Sequence, residues 1–366
     1  MPLTNTLAVA SARGFGFGTE DAFGEQVYLS PGTYTFIVPS GVTSLSMVSI
    51  GAGAGGGRAG DYTGFDSLPF IFNTPSPGSG SASYRAGGGG GLAYSNSVSV
   101  TPGQVLTVLV GDGGSALGSN ANPANGGDSY VQTSGGTKLV HAGGGKGAGS
   151  GSVGGAPIVG SGGSGGTGGN WSFSLSESTY RGGGGGGAGG YSGNGGNGGN
   201  ASNDGSAGAG GGAGGGGGGG IASYLAGGGT YYQYVFTAGA AGGGTGLYGE
   251  SSSGAGGAKM VANGTSNYSP AEGGGGGSSG NDGADCGTGT SGSIGASNTN
   301  GGPGLGTCGG GAGNAGMRVK EDATTSTLYD WFSSANGTGA TGGVRIIWTT
   351  NSSVTRAFPS TNVGQL

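Results

Sequence analysis

Ser161-Gly-Gly-Ser164-Gly-Gly-Thr167-Gly-Gly-Asn170 sets one small polar residue at every third position and glycine at the two positions between. An α-helix repeats at about 3.6 residues and a strand at about 2, so neither period fits. A chain with three residues per turn does fit, and the polyproline-II conformation has that repeat with no internal hydrogen bonds. Its N–H and C=O groups must find partners on other chains, and only residues lacking Cβ let such chains close on every side. Asn194-Gly-Gly-Asn197-Gly-Gly-Asn200 repeats the device, and unbroken runs at Gly87 to Gly91, Gly182 to Gly187, Gly214 to Gly220 and Gly273 to Gly277 extend it.

The whole chain carries the same signature. Of 366 residues, 107 are glycine, about 29% against an average near 7%. Ordering glycine costs more backbone entropy than ordering any other residue, so a folded form needs a lattice of interchain hydrogen bonds to hold it. Collagen is excluded, because 12 prolines and a broken register fall short of its strict Gly-X-Y repeat. The expectation is a bundle of polyproline-II-type (polyglycine II) helices, each about 10 residues and roughly 30 Å long.

Chemistry has little raw material here. There are 11 Lys+Arg, 16 Asp+Glu, one histidine (His141) and two cysteines, with a net charge of -5 and a pI near 4.7. A metal cluster, a Ser-His-Asp arrangement or a basic nucleic-acid footprint is therefore not expected. No cofactor and no enzymatic activity are expected either. No apolar run approaches the roughly 20 residues of a membrane span; the longest, Leu68 to Phe72, contains Pro69. Met1 to Ala12 lacks Lys, Arg and a sustained apolar core, so it does not read as a secretory signal.

The first third reads differently. Gly32-Thr-Tyr-Thr-Phe-Ile-Val38 and Ser44-Leu-Ser-Met-Val-Ser-Ile50, around the turn Pro39-Ser-Gly-Val42, alternate with the period and β-branched content of strands. Leu92 to Val100, Val105 to Val110 and Ser129 to Thr133 continue the pattern, with a turn at Thr101-Pro-Gly-Gln104, and residues 343–349 return one more strand. The expected fold is mainly β, a small β-sandwich or jelly-roll-like layer plus the glycine-rich bundle, with almost no α-helix; only Lys320 to Phe332 has a helical pattern. The expected organisation is an N-terminal docking arm (1–25), the β-sandwich with the first glycine runs (26–145), the bundle (146–316) and a C-terminal segment (317–366).

Single motifs add less. Arg13-Gly-Phe15-Gly-Phe17 matches the opening of an RNA-recognition motif, but Gly18 and Glu20 break it; these residues read as an arm that docks on a partner or on its own domain. With so much glycine, G-x-G-x-x-G matches arise by chance and carry nothing. Asn281-Asp-Gly-Ala-Asp285 reads as an Asx-rich turn, since it lacks the spacing of a calcium loop, and the Asn-x-Ser/Thr sequons at Asn170, Asn200 and Asn351 receive no role. A disulfide between Cys286 and Cys308 would stabilise by about 3 kcal/mol. Aromatic residues cluster where glycine breaks off: Tyr62 with Phe65; Trp171 with Phe173; and Tyr231, Tyr232 and Tyr234. They read as caps, as subunit interfaces or as recognition tips on the loops where glycine runs turn.

Tyr34-Thr-Phe-Ile-Val-Pro-Ser-Gly-Val-Thr43, Ile50-Gly-Ala-Gly-Ala-Gly-Gly-Gly57, Val105-Leu-Thr-Val-Leu-Val-Gly111, Gly126-Gly-Asp128 and Ala142-Gly-Gly-Gly145 resemble, in order, a glycine-rich domain of phage and bacterial surface proteins. Gly342-Gly-Val-Arg-Ile-Ile-Trp348 and Arg356-Ala-Phe-Pro-Ser-Thr-Asn362 resemble the terminal segment of tail-fibre-like virion proteins of tailed phages, especially those of marine cyanobacteria. The resemblance implies a non-enzymatic virion component, a homotrimer that meets other virion proteins and a host-surface glycan or outer-membrane protein. Such a protein is made in the host cytoplasm and released by lysis. The chain departs from the glycine-rich tip adhesins in its long β-rich N-terminal part. An ice-binding or other extracellular glycine-rich protein, and a capsid decoration or connector protein, are the alternatives; a regular Ser/Thr row would serve the first.

Overall fold

The computed structural model describes residues 23–56, 85–115, 124–147, 151–170, 183–200, 242–250, 309, 338–350 and 356–360, together with the backbone of short strands between 172 and 333. The strands in chain order are β1 (Phe23–Tyr28), β2 (Gly32–Ile37), β3 (Ser44–Ile50), β4 (Leu92–Ser99), β5 (Val105–Val110), β6 (Ser129–Thr133), β7 (Lys138–Ala142) and β8 (Pro157–Val159). They continue with β9 (Ser172–Ser174), β10 (Thr179–Arg181), β11 (Leu225–Gly227), β12 (Tyr231–Val235), β13 (Ala262–Asn263), β14 (Asn267–Tyr268), β15 (Met317–Asp322), β16 (Leu328–Ser333) and β17 (Gly343–Thr349). The fold is mainly β, and the described residues contain no helix.

Two antiparallel sheets, β1-β17-β3-β4 and β2-β5-β6-β7-β8, pack face to face. The period of two explains the core between them. Leu106, Val108 and Val110 of β5, Phe36 of β2, Val131 of β6, Val140 of β7, and Val344 and Ile346 of β17 all point inward and are buried. Each such side chain contributes roughly 1.5–3 kcal/mol by leaving water. The other face of the four-stranded sheet is covered as well. Val48, Ile50, Leu92 and Ile347 meet Tyr191, Leu247, Tyr248 and Phe358 from later segments. With both faces covered, β3 is buried from Leu45 to Ile50 and β17 from Gly343 to Ile347. The returning strand expected over 343–349 is β17, and it lies inside its sheet between β1 and β3.

At one end of the sandwich the chain crosses between sheets through short turns. Val42 N–H donates to Pro39 O (3.2 Å) and Gln104 N–H to Thr101 O (2.9 Å). Gly41 and Gly103 hold φ at 81° and 79°, which a type II turn requires at its third residue. The turns expected at these places are present, but neither closes a hairpin: β2 pairs with β5, and β3 with β4.

At the opposite end β3, β4, β5, β6, β7, β8 and β17 run out into glycine-rich segments, and there the bonding repeats every third residue. Gly51 and Ala54 donate to Gly91 and Gly88; Ala52 and Gly55 donate to Gly127 and Ala124; Gly53 donates to Ala340. Ala86, Gly89 and Leu92 donate in the same way to Gly169, Gly166 and Gly163, while Gly88 and Gly91 donate to Lys146 and Gly143. Runs from before and after residue 145 thus share one set of bonds. β1 takes in Phe23 to Glu25, and β8, beyond residue 145, forms an edge of the five-stranded sheet.

Two expectations are corrected. The described residues of Lys320 to Phe332 hold strands in place of the expected helical pattern: β15 and β16 pair antiparallel, with Val319 opposite Trp331. The β-branched and aromatic residues of that stretch favour a pleated chain over a helical one. Tyr231, Tyr232 and Tyr234 do not sit on a loop. They belong to β12, which is bonded on both sides in the order β11-β12-β15-β16, because tyrosine and valine are strand formers even between glycines.

Candidate functional site

Of the other residues singled out in the sequence, Phe173 lies in β9, paired with Tyr180 of β10. Tyr62, Phe65, Trp171, the arm residues Arg13, Phe15 and Phe17, and Cys286 and Cys308 lie outside the described residues. The structure instead brings together polar side chains on the outward face of the five-stranded sheet. Register places Thr33, Leu109, Tyr130 and His141 in one row across β2, β5, β6 and β7. Thr35, Thr107, Gln132 and Lys138 form the next row. Ile37 and Val105, 62% and 47% exposed, pair in the row beyond it.

Within this face, His141 Nε2 lies 3.0 Å from Asp128 Oδ2, and Gly144 N–H donates to Asp128 Oδ1 at 2.9 Å. The Asp128 carboxylate thereby ties the sheet to the first glycine run after β7. Burial pushes its carboxyl up, but the Gly144 bond and His141 outweigh burial and hold it below the usual aspartate range. Tyr130 meets His141 edge-on, with ring centroids 5.4 Å apart. Lys138 lies over the Tyr130 ring and donates to Gln132 Oε1 at 2.8 Å. Among the described residues no hydroxyl or thiol is bonded to His141, and no group of three or more His, Cys, Asp or Glu could hold a metal. The arrangement offers an aromatic edge, an amide, an ammonium and a carboxylate on a rigid sheet, which is chemistry for binding. The signal in the sequence was the alternation in Ser129 to Thr133, which turns Tyr130 and Gln132 outward when Val131 turns in.

A second polar array lies on two of the glycine-rich segments. Asn194, Asn197 and Asn200 accept through Oδ1 from the N–H of Ser164, Thr167 and Asn170, at 3.0, 2.9 and 2.9 Å. The two period-three rows recognised in the sequence are therefore partners, 30 residues apart at every rung. Ser164 and Thr167 are half-buried beside this neighbour, and the exposed residues are the asparagines.

The third polar group is buried. Arg345 of β17, with a side chain 0% exposed, donates from Nε to Glu25 Oε2 at 3.0 Å and from a second guanidinium nitrogen to the same oxygen. It also donates to Leu247 O (3.3 Å) and stacks 3.9 Å from the Tyr248 ring. Arg356 reaches Gly24 O at 3.1 Å, and Asn96 exchanges two hydrogen bonds with the Phe358 backbone. These contacts fasten segments 245–250 and 356–360 to the covered sheet, so their role is structural. None of the helices among the described residues is long and apolar enough to cross a membrane, because there are none. The sequence matches no protein-family model, and no curated protein matches it.

Proposed function

We propose that the chain is a non-enzymatic structural component of a phage virion, a tail-fibre or appendage protein that works outside the cell in host-surface attachment. The observation that supports this reading most is the continuity of strand and glycine run. Backbone bonds cross from 51–55 to 86–91, 124–127 and 340 without an intervening linker, which suits a stiff projecting module. The sequence resemblance of residues 342–348 and 356–362 to tail-fibre-like virion proteins supports a place on a tailed-phage particle. Copies of the chain assemble as a homotrimer, and the outward face carrying Thr35, Tyr130, Gln132 and Lys138 is available for a glycan or an outer-membrane protein.

Proteomic mass spectrometry of purified particles tests the reading. The chain is expected at tens of copies or fewer per particle, and antibody labelling in electron microscopy is expected at the tail; absence from intact virions would sink it.

A further inference from the structure

We propose that the glycine runs protect asparagines from deamidation at the three Asn-Gly steps among the described residues, each of these steps being closed by a pair of hydrogen bonds to a neighbouring run. Deamidation begins when the backbone nitrogen of the following residue attacks the asparagine Cγ. The N–Cγ bond forms, the Cγ–Nδ2 bond breaks, and Nδ2 leaves as ammonia with the proton that the nucleophile lost. Water then opens the cyclic imide at either carbonyl, leaving aspartate or isoaspartate. Glycine as the following residue leaves that nitrogen unshielded, so Asn-Gly is the step most open to attack.

Residues 125–126, 194–195 and 197–198 are such steps, and Asn125, Asn194 and Asn197 are all exposed to solvent and hydroxide. In each, both reacting groups are already engaged. Gly195 N–H donates to Ser164 O (2.8 Å) while Asn194 Oδ1 accepts from Ser164 N–H (3.0 Å). Gly198 N–H donates to Thr167 O (2.8 Å) while Asn197 Oδ1 accepts from Thr167 N–H (2.9 Å). At the third step Gly126 N–H donates to Gly145 O (2.9 Å) and Asn125 Oδ1 accepts from Gly147 N–H (2.8 Å). Attack needs the glycine nitrogen freed and the amide carbon swung back over it, so both bonds must break first. The asparagine ladder thus holds apart the two atoms whose union would cut its own amides. This inference stands on the bonding alone and does not depend on where the protein works.

The test is peptide mapping by mass spectrometry of the full chain aged in mildly alkaline buffer, folded and in guanidinium at the same pH. Deamidation at Asn125, Asn194 and Asn197 is expected at least about tenfold slower in the folded protein, the factor that breaking one to two net hydrogen bonds supplies. Equal rates in the two states would overturn the proposal. A second arm uses Thr167→Pro, which removes the N–H that holds Asn197 Oδ1. Deamidation at Asn197 is expected to accelerate toward its unfolded rate while Asn125, in the same molecules, stays slow. Asn197 remaining slow in that variant would show that this bond is not the guard. If Asn125 accelerates too, the variant has unfolded, and the folded-against-unfolded comparison of the unaltered chain decides.

Discussion

Gly89 shows what the lattice requires of a single residue. It donates to Gly166 O and accepts from Gly155 N–H, and a Cβ placed on it would lie inside the carbonyl of Gly187. Three runs thus touch one glycine, and no flexible side chain stands there to give way. Gly89→Ala is expected to separate at least one of them and leave buried amides unpaired at about 1 to 3 kcal/mol each. Chemical denaturation should therefore show a loss of about 3 kcal/mol or more; unchanged stability would mean that the runs yield without breaking bonds. This requirement was legible in the sequence, because only a residue without Cβ fits a chain bonded on every side. Asp128 was not legible, since nothing in Gly126-Gly-Asp128 tells that His141 lies beside it. Its carboxyl is held below the ordinary value near 3.9, chiefly by Gly144 and His141 acting against burial. The stability it contributes is present above that ordinary value and is lost as pH falls below it toward the folded-state value. With the Asp128 side chain 39% exposed, solvent screening limits the effect to no more than about 1 kcal/mol. Melting curves from mildly acidic pH down to about 3 should show a shallower acid loss in Asp128→Asn than in the unaltered chain.

The strands were mostly legible from alternation, since β3, β5 and β6 have the bounds that their period-two patterns set. Pairing was not legible. Pro39–Val42 and Thr101–Gln104 have hairpin chemistry, yet each passes to the other sheet, because both faces of β3 need cover and a hairpin partner from β2 would supply only an edge. β17 displays the long-range choice most clearly, lying between β1 and β3 some three hundred residues from both. Glu25 and Tyr248, the partners of its buried Arg345, are distant in the chain, so nothing within the strand itself points to them. Arg345→Leu is expected to cost about 3 to 5 kcal/mol by stranding the Glu25 carboxylate at a covered face. The double variant Glu25→Leu, Arg345→Leu is expected to recover much of that loss, as urea denaturation of the single and double variants can measure. A double variant as unstable as the single would show that Arg345 acts through Tyr248 and Leu247 instead. The edge strand β1 depends on β17 in another way: the Trp348 indole lies over Gly24, so any side chain at position 24 displaces it.

At the scale of the whole molecule, composition suggests a sandwich and a separate bundle, while the hydrogen bonds join them. The sandwich strands β3, β4, β5, β6 and β7 each continue into a glycine run at the same end. The runs nearest the sandwich are completed from far along the chain: Ala86, Gly89 and Leu92 by Gly169, Gly166 and Gly163, and the carbonyls of Gly87 and Gly90 by the N–H groups of Gly186 and Gly189. The four-stranded sheet also lacks its second strand until Gly343–Thr349 arrives. A fragment of residues 26–145 would therefore keep the apolar core residues of β2, β5, β6 and β7 but lose β17. It would also leave the N–H row at 86, 89 and 92 without acceptors. We predict that this fragment does not fold. In the complete chain, the amides of Gly51, Gly89, Gly166 and Gly187 should exchange with solvent as slowly as those of β3 and β5, because none of these bonds can open without disturbing a neighbour that holds the sheet. Hydrogen exchange read by mass spectrometry distinguishes the two architectures. Protection of the runs lost well before that of the strands would show a bundle that melts by itself; a common protection level, with calorimetry giving one transition for these segments, is the expected result.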